Sequence, residues 1–400
     1  MKSIFQKVLS VATLIFLFSS SAFTQSAPSH LKYFGYYYVD CLYDDPLDLS
    51  TTTNYIAEVD SFSNFDLLCV SNYTTDINAR VNLMNSHCVK PLLSLYDVFY
   101  VYAGTNGPSG VNYDLNPNYL SQWNTFKSIN SSVLNSSQVA AFYVMDEPAW
   151  NGVTYTEYNT VCSLVKTDFP NIPIMLTEAW TMLDSIQIPT TVDWVSFDRY
   201  GIFNPTTDPT YQGFHTKLKS IRSAASQKVF LVMDDQWFPY YANTGGYTPD
   251  SIINVVQNYY NLAASDTTVA GIMAFIWPGG ITTGHLGARE LPQPVIDLNV
   301  QIGKMIKANN SPCSTTGIEN NKQAGEMIGV YPNPVSDFLT IILPENKTEE
   351  RIELYNSIGE LVREIEITES TQINISDLQS GLYFVHFKNH SQQTQKFIIQ

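Results

Sequence analysis

At 400 residues, 44% apolar and 13% aromatic, the chain can form one large and one small domain, and general disorder is excluded. Charged residues make up only 14%, so Ser, Thr, Asn and Tyr must supply the polar surface, which suits an extracellular protein. The formal charge of −16, from 21 basic and 37 acidic residues with no basic cluster, argues against nucleic acid or anionic membrane as the main partner, because phosphate binding needs grouped Lys and Arg.

The N-terminus opens with Lys2 and Lys7, an apolar run over 8–18, and then Ser19-Ser20-Ser21-Ala22-Phe23-Thr24. That order predicts a secretory signal peptide over 1–24, because the apolar run is too short to span a bilayer comfortably. No later segment reaches 18 apolar residues, so the mature chain is expected to lack a transmembrane segment. Residues 25–324 carry −12 and residues 325–400 carry −6. Between them runs a polar, Gly- and Pro-containing stretch, read as a linker over 309–325. The expected domains are therefore 25–308 and 326–400.

In the first domain, eight short apolar segments alternate with helical stretches. The strands are predicted over 33–40, 66–73, 90–97, 139–147, 172–180, 192–200, 228–237 and 269–277. Most are continuous apolar runs, the mark of strands buried on both faces of a parallel sheet. Amphipathic helices are predicted over 77–87, 119–134, 155–167, 212–225 and 249–264, and the fifth crossover, 181–191, holds at most a turn or two. Eight strand–helix units over about 280 residues predict an α/β fold of the (β/α)8 TIM-barrel type. A doubly wound sheet would want a glycine-rich loop after the first strand, and Asp40-Cys41-Leu42-Tyr43 has none. Cys69 and Cys88, flanking one strand–helix unit, are the expected disulfide.

Barrel enzymes place their chemistry at the C-terminal strand ends. These carry Asp40; Asn72 and Tyr73; Tyr96 and Asp97; Asp146 and Glu147; Glu178 and Trp180. The later ends add Asp198 and Tyr200; Asp234, Asp235, Gln236 and Trp237; and Trp277. Arg199 is the only cation among them, so a phosphate site, a Schiff-base lysine and a Ser-His-Asp relay are poorly supported. His87, His215 and His285 are scattered and assemble no metal site. His285, in the loop after the eighth strand, is expected to be solvated. No cofactor or metal is expected. An acidic bowl walled by aromatic rings suits sugars, whose C–H faces stack on rings and whose hydroxyls donate to carboxylates. The long loop over 98–117, with Tyr100, Tyr102 and Tyr113 among three glycines, is of a length usually tied to function. Tyr36-Tyr37-Tyr38 is read mainly as barrel wall, with at most one ring toward substrate.

The segment Phe142-Tyr143-Val144-Met145-Asp146-Glu147-Pro148 resembles the fourth-strand end of retaining barrel glycoside hydrolases with an Asn-Glu-Pro or Asp-Glu-Pro motif. The resemblance implies that Glu147 is the general acid/base. That clan ends its seventh strand in a nucleophilic Glu, where this sequence has Val232-Met233-Asp234-Asp235-Gln236. Asp235 is then the expected partner carboxylate and Asp234 the alternate, with retaining and inverting outcomes both open. Trp277 resembles the clan's sugar-platform tryptophan. Asp40, Tyr96, Asp146, Glu178, Asp198, Tyr200 and Trp237 are expected to shape the sugar site. Adjacent Asp146-Glu147 also resembles substrate-assisted N-acetylhexosaminidases, in which the Asp orients an acetamido group. The rival from another class is a non-catalytic glycan-binding barrel.

The tail reads as short alternating strands over 338–343, 351–355, 361–367, 372–375, 382–388 and 396–399, a small β-sandwich. Its punctuation is Val330-Tyr331-Pro332-Asn333-Pro334, then Leu354-Tyr355-Asn356 with Gly359. Asp377-Leu378-Gln379-Ser380-Gly381-Leu382-Tyr383 and Lys396-Phe397-Ile398 follow. In this order it resembles the C-terminal sorting domain of Bacteroidota type IX secretion cargo. The resemblance implies a secreted or cell-surface protein that meets the type IX machinery as a partner.

Overall fold

Each of the eight apolar segments forms a strand in the computed structural model. It describes residues 26–311, 313, 329–331, 335–342, 350–357, 359–368, 371–388 and 393–399. The expected signal peptide and most of the expected linker lie outside the described residues. The chain divides into two units, one up to residue 314 and one from residue 315.

The first unit contains β1 (Tyr33–Tyr36), α1 (Ile56–Val59), β2 (Phe65–Cys69), α2 (Asn78–Ser86), β3 (Lys90–Ser94) and α3 (Tyr96–Phe99). A hairpin of β4 (Tyr100–Gly104) and β5 (Asn112–Leu115) follows, then α4 (Tyr119–Ile129), β6 (Ala141–Asp146), α5 (Tyr155–Asp168) and β7 (Ile174–Ala179). The remainder is β8 (Trp194–Asp198), α6 (Pro209–Ile221), β9 (Lys228–Asp234), α7 (Pro239–Gly245), α8 (Ile252–Ser265), β10 (Val269–Phe275) and α9 (Gln293–Lys307). As expected, the crossover between β7 and β8 holds only a 3-10 turn, Trp180–Met182. The hairpin was legible only as a long loop.

The sheet order is β1-β10-β9-β8-β7-β6-β3-β2, with every pair parallel. The two ends meet at Asp40, whose N–H donates to Leu67 at 3.1 Å and whose carbonyl accepts from Cys69 N–H at 2.9 Å. A Cβ on Gly35 would lie 1.3 Å from the Phe65 carbonyl oxygen, so β1 and β2 approach this closely only because residue 35 has no side chain. The result is the predicted (β/α)8 barrel.

Strand alternation divides the core into two shells. Leu231 and Met233 of β9, with Phe34 and Tyr36 of β1, join the cluster packed beneath the helices. Phe230 and Val232, with Leu67, Leu92, Met175 and Met273, fill the interior. The barrel floor is a plug of Tyr33, Phe65, Trp194 and Phe230, with ring centroids 4.6–5.7 Å apart. The interior is closed at this end, so any ligand enters from the opposite, C-terminal face.

The disulfides are Cys41–Cys69 and Cys88–Cys313, and Cys162 is free and buried. The expected Cys69–Cys88 bridge is therefore corrected. Strand β2 ends at Cys69 beside the β1 end, bringing Cys41 to a Cα separation of 4.5 Å. Helix α2 then returns the chain to the barrel floor before Cys88.

The second unit holds β11 (Gly329–Tyr331), β12 (Phe338–Ile342), β13 (Glu350–Asn356), β14 (Leu361–Ile367), β15 (Thr371–Asn374), β16 (Gly381–Phe387) and β17 (Gln393–Ile399). They form antiparallel sheets β11-β12-β15 and β14-β13-β16-β17. Both contribute to one cluster that includes Leu339, Ile341, Ile352, Val385 and Phe397.

The Cys88–Cys313 bridge spans 225 residues and ties the end of the barrel chain to the turn after α2. Replacing both cysteines by serine is expected to lower the unfolding free energy by about 2–4 kcal/mol, measured by denaturant titration without reductant. An unchanged midpoint would contradict this bridge.

Candidate active site

The C-terminal mouth of the barrel opens into a cavity of about 400 Å³. Its carboxyl groups are Asp146, Glu147 and Asp198, and its walls include Tyr37, Tyr38, Tyr96, Tyr113, Tyr143, Tyr200 and Phe275. Five expected site residues, Asp146, Glu147, Asp198, Tyr96 and Tyr200, are thus brought together.

Asp146 and Glu147 both face the cavity because β6 is irregular at its end. Simple alternation from Tyr143 would turn Asp146 to the opposite side from Glu147. The pairing with β7 shifts between Tyr143 and Asp146, a bulge that re-aims side chains as bulges near active sites do. Glu147 itself adopts φ +42°, a left-handed conformation that costs a non-glycine residue about 1–2 kcal/mol. The turn that follows is held by Glu178. Its carboxylate accepts from Ala149 N–H at 2.8 Å, Trp150 N–H at 3.1 Å and Ala179 N–H at 3.0 Å. Glu178 is fully buried and does not line the cavity, so it supports the acid-bearing turn rather than touching substrate. Burial, partly offset by these donors, pushes its pKa up to about 7.

The three cavity carboxyls are electrostatically bound together. The Glu147 carboxyl hydrogen-bonds to Asp198. Burial first, then the charges of Asp198 and Asp146, holds the Glu147 pKa well above the carboxyl range. Asp198 is also raised, mainly by burial and by Asp146, while the bond from Glu147 pulls it back down. Glu147 therefore carries the proton and Asp198 accepts it. Asp146 is raised by crowding against protein, opposed by the Tyr143 hydroxyl that donates to its Oδ1. Its side chain still reaches the solvent in the cavity, which keeps an ionised form accessible.

The other expected site residues stand elsewhere. Asp235 lies on the outer face of β9, in step with Leu231 and Met233, and is fully buried beneath α9. There it accepts from Asn299 Nδ2 at 2.8 Å and Tyr36 OH at 3.1 Å. The resemblance between Val232–Asp235 and Val144–Glu147 misleads because the two segments are out of phase from their first residue: Val144 packs beneath the helices, whereas Val232 fills the interior. Asp234 accepts from Tyr241 OH at 2.9 Å and Gly201 N–H at 2.7 Å, again outside the cavity. Asp40 is paired with Arg80 at 2.9 Å. Trp237 donates to the Tyr247 carbonyl at 2.8 Å, and Trp277 to Glu58 at 2.8 Å. The ring facing the cavity from β10 is Phe275, not Trp277. His285 is buried rather than solvated, 2.9 Å from Gln236 Oε1 and stacked on Phe238.

Sequence reasoning missed most of the aromatic wall. Tyr37 and Tyr38 both line the cavity, and Tyr38 does so through a left-handed φ of +66° that alternation does not anticipate. The hairpin brings in Val111 and Tyr113. It docks on the acid-bearing turn through Ser109 N–H to Trp150 O at 2.9 Å and Tyr113 N–H to Asn151 O at 3.0 Å. The clustered tyrosines and glycines of that loop were the available signal.

Residues 329–400 match the family model described as a secretion system C-terminal sorting domain. No sequence among the curated proteins matches the chain. Among solved structures it is similar to a GH113 β-1,4-mannanase at 8% identity, covering 70% of this chain and 99% of that one, with a TM-score of 0.45. A thermostable mutant xylanase from Cellvibrio japonicus follows at 10% identity, covering 68% and 97%, with a TM-score of 0.43. The β-glucuronidase 2 of Bacteroides uniformis is similar at 10% identity over 92% of this chain, with a TM-score of 0.44. This chain spans 46% of that enzyme's length.

Asp235 offers a stability test. Burial raises its pKa to about 7, so the folded state binds a proton that the unfolded state releases near pH 4. The associated stability is full below about pH 4 and is lost as pH rises to about 7. Asp235→Asn keeps an acceptor for Asn299 and Tyr36 and removes this loss. The variant is expected to melt several degrees above wild type at pH 8 and no higher at pH 4, by calorimetry. A lower melting temperature at pH 8 would contradict the placement.

Proposed function

We propose that the barrel hydrolyses glycosidic bonds, with Glu147 as the general acid. The observation that carries this reading is a cavity in which Glu147, Asp198 and Asp146 meet among aromatic rings, an arrangement that raises the Glu147 pKa through burial and then the neighbouring charges. A leaving oxygen needs a proton from an acid still protonated near neutral pH, and Glu147 meets that requirement. The rings offer stacking surfaces for pyranose faces, and the carboxylates accept from hydroxyls.

Asp198, in hydrogen-bond contact with Glu147, is nearer than the about 5–5.5 Å or 6.5–9.5 Å separations of retaining and inverting carboxylate pairs. Its role in this reading is to keep Glu147 protonated and to receive hydroxyl protons. Asp146 is then the second catalytic carboxylate, activating water. One observation favours a second reading: among the described residues no carboxylate lines the cavity apart from this cluster. A 2-acetamido group of the sugar would then supply the nucleophile, with Asp146 accepting its N–H. Retention at the anomeric carbon, confined to acetamido substrates, identifies that route. The sorting tail supports export, with the signal peptide serving the first membrane crossing and type IX machinery of a Bacteroidota cell the second.

The test measures sugar release from a panel of polysaccharides and aryl glycosides by wild type and Glu147→Gln. The variant is expected to lose about 10²–10⁴-fold in kcat on substrates with poor leaving groups. Binding without release, equal in both proteins, would instead identify a glycan receptor.

The pH profile follows from the same assignment. Activity falls at high pH as Glu147 loses its proton, and at low pH as Asp146 gains one. Both pKa values are raised, so the bell of kcat/KM is expected to lie above the range set by ordinary carboxyls. An optimum near pH 3–4 would contradict it.

A further inference from the structure

The cavity holds three carboxyl groups, yet none of the described residues lining it is Lys, Arg or His. Two arginines stand outside the lining: Arg199, whose buried Nε has no hydrogen-bond partner among the described residues, and Arg80. Arg199, directly after Asp198, lies with its guanidinium carbon 3.9 Å from the Trp180 ring centroid. Arg80 is held by Asp40 through Nε at 3.0 Å and Nη2 at 2.9 Å. Two of the wall hydroxyls are also occupied, Tyr143 by Asp146 and Tyr37 by Thr177 at 3.0 Å.

A sugar carboxylate or sulfate in this space would face Asp146 and Asp198 with no cation to receive it. Proteins that select such groups supply a guanidinium fork or an ammonium. Like charges brought together in a partly desolvated site are strongly unfavourable and act as a filter against the wrong partner.

We propose that the glycan accepted here is uncharged at the sugars flanking the cleaved bond, and that Asp146 and Asp198 reject uronic acids and sulfated sugars. This rests on the glycoside-hydrolase reading and names its substrate class. Hydroxyls of a neutral sugar can all donate to these carboxylates, whereas a uronate replaces a donor by a negative acceptor.

The full chain is titrated calorimetrically with gluco-, manno- and galacto-oligosaccharides, each beside its C6-carboxylate counterpart, and the same pairs are assayed for hydrolysis. Any neutral oligosaccharide that binds is expected to bind on the order of 100-fold more tightly than its uronate. A Val111→Lys variant, which adds a cation to the cavity wall, is expected to regain roughly tenfold in uronate affinity, because an opposite charge offsets the repulsion. A uronate bound as tightly as its neutral partner by wild type overturns the proposal, as does a Val111→Lys variant without that gain. Neutral oligosaccharides bound selectively but never cleaved would overturn the hydrolase reading and leave the charge selection standing. Failure of every oligosaccharide to bind would overturn both.

Discussion

Three carboxyl groups share one small cavity with no counter-cation among the described residues. Asp146, Glu147 and Asp198 cannot all be ionised at this spacing, because each charge raises the cost of the next. The least costly arrangement places a proton on Glu147 and directs it at Asp198. A half-buried carboxyl whose pKa is raised, set among rings, is able to donate a proton, which is the role proposed for Glu147. The protein thereby retains a reactive group that ordinary solvation would discharge.

That arrangement needs rigid support, which surrounds the cavity. Glu178 fixes the turn after Glu147 through three backbone N–H donors, and the hairpin β4–β5 is hydrogen-bonded to the same turn. The acid and the Tyr113 side of the wall are therefore positioned by one element. Below them the aromatic floor closes the barrel interior. Behind β9 the buried Asp235 and Asn299 tie strand β1 to helix α9 through Tyr36. Asp235 Oδ1 has no hydrogen-bond partner among the described residues, a desolvation cost that this tie carries.

Much of the fold was legible because it rests on periodicity. Runs such as Val139–Met145 and Val229–Met233 are apolar at every position, and only a strand buried on both faces needs that. Even the missing helix between β7 and β8 could be read from the shortness of the segment. The site was legible in type more than in detail. Acids and aromatics at strand ends named the bowl, yet two adjacent positions, Asp234 and Asp235, were aimed wrongly. Asp235 falls on the helix-facing side of β9 because side chains alternate, Asp234 is held by Tyr241 and Gly201, and no composition signal reports either arrangement or the bulge at Asp146. The Cys41–Cys69 pair was missed for a similar reason: it depends on where the barrel closes, which is a property of all eight strands together.

The central claim is that burial, and then the charges of Asp198 and Asp146, keep a proton on Glu147 at neutral pH. Carboxyl-carbon NMR titration of the full chain, with the Glu147 resonance assigned by comparison with Glu147→Gln, measures this directly. The account predicts that Glu147 stays protonated through neutrality in the wild type, and that Asp198→Asn brings its titration down toward the ordinary range by removing the neighbouring charge. A wild-type Glu147 that ionises like a free glutamate, near pH 4.3, and is indifferent to Asp198→Asn would contradict it.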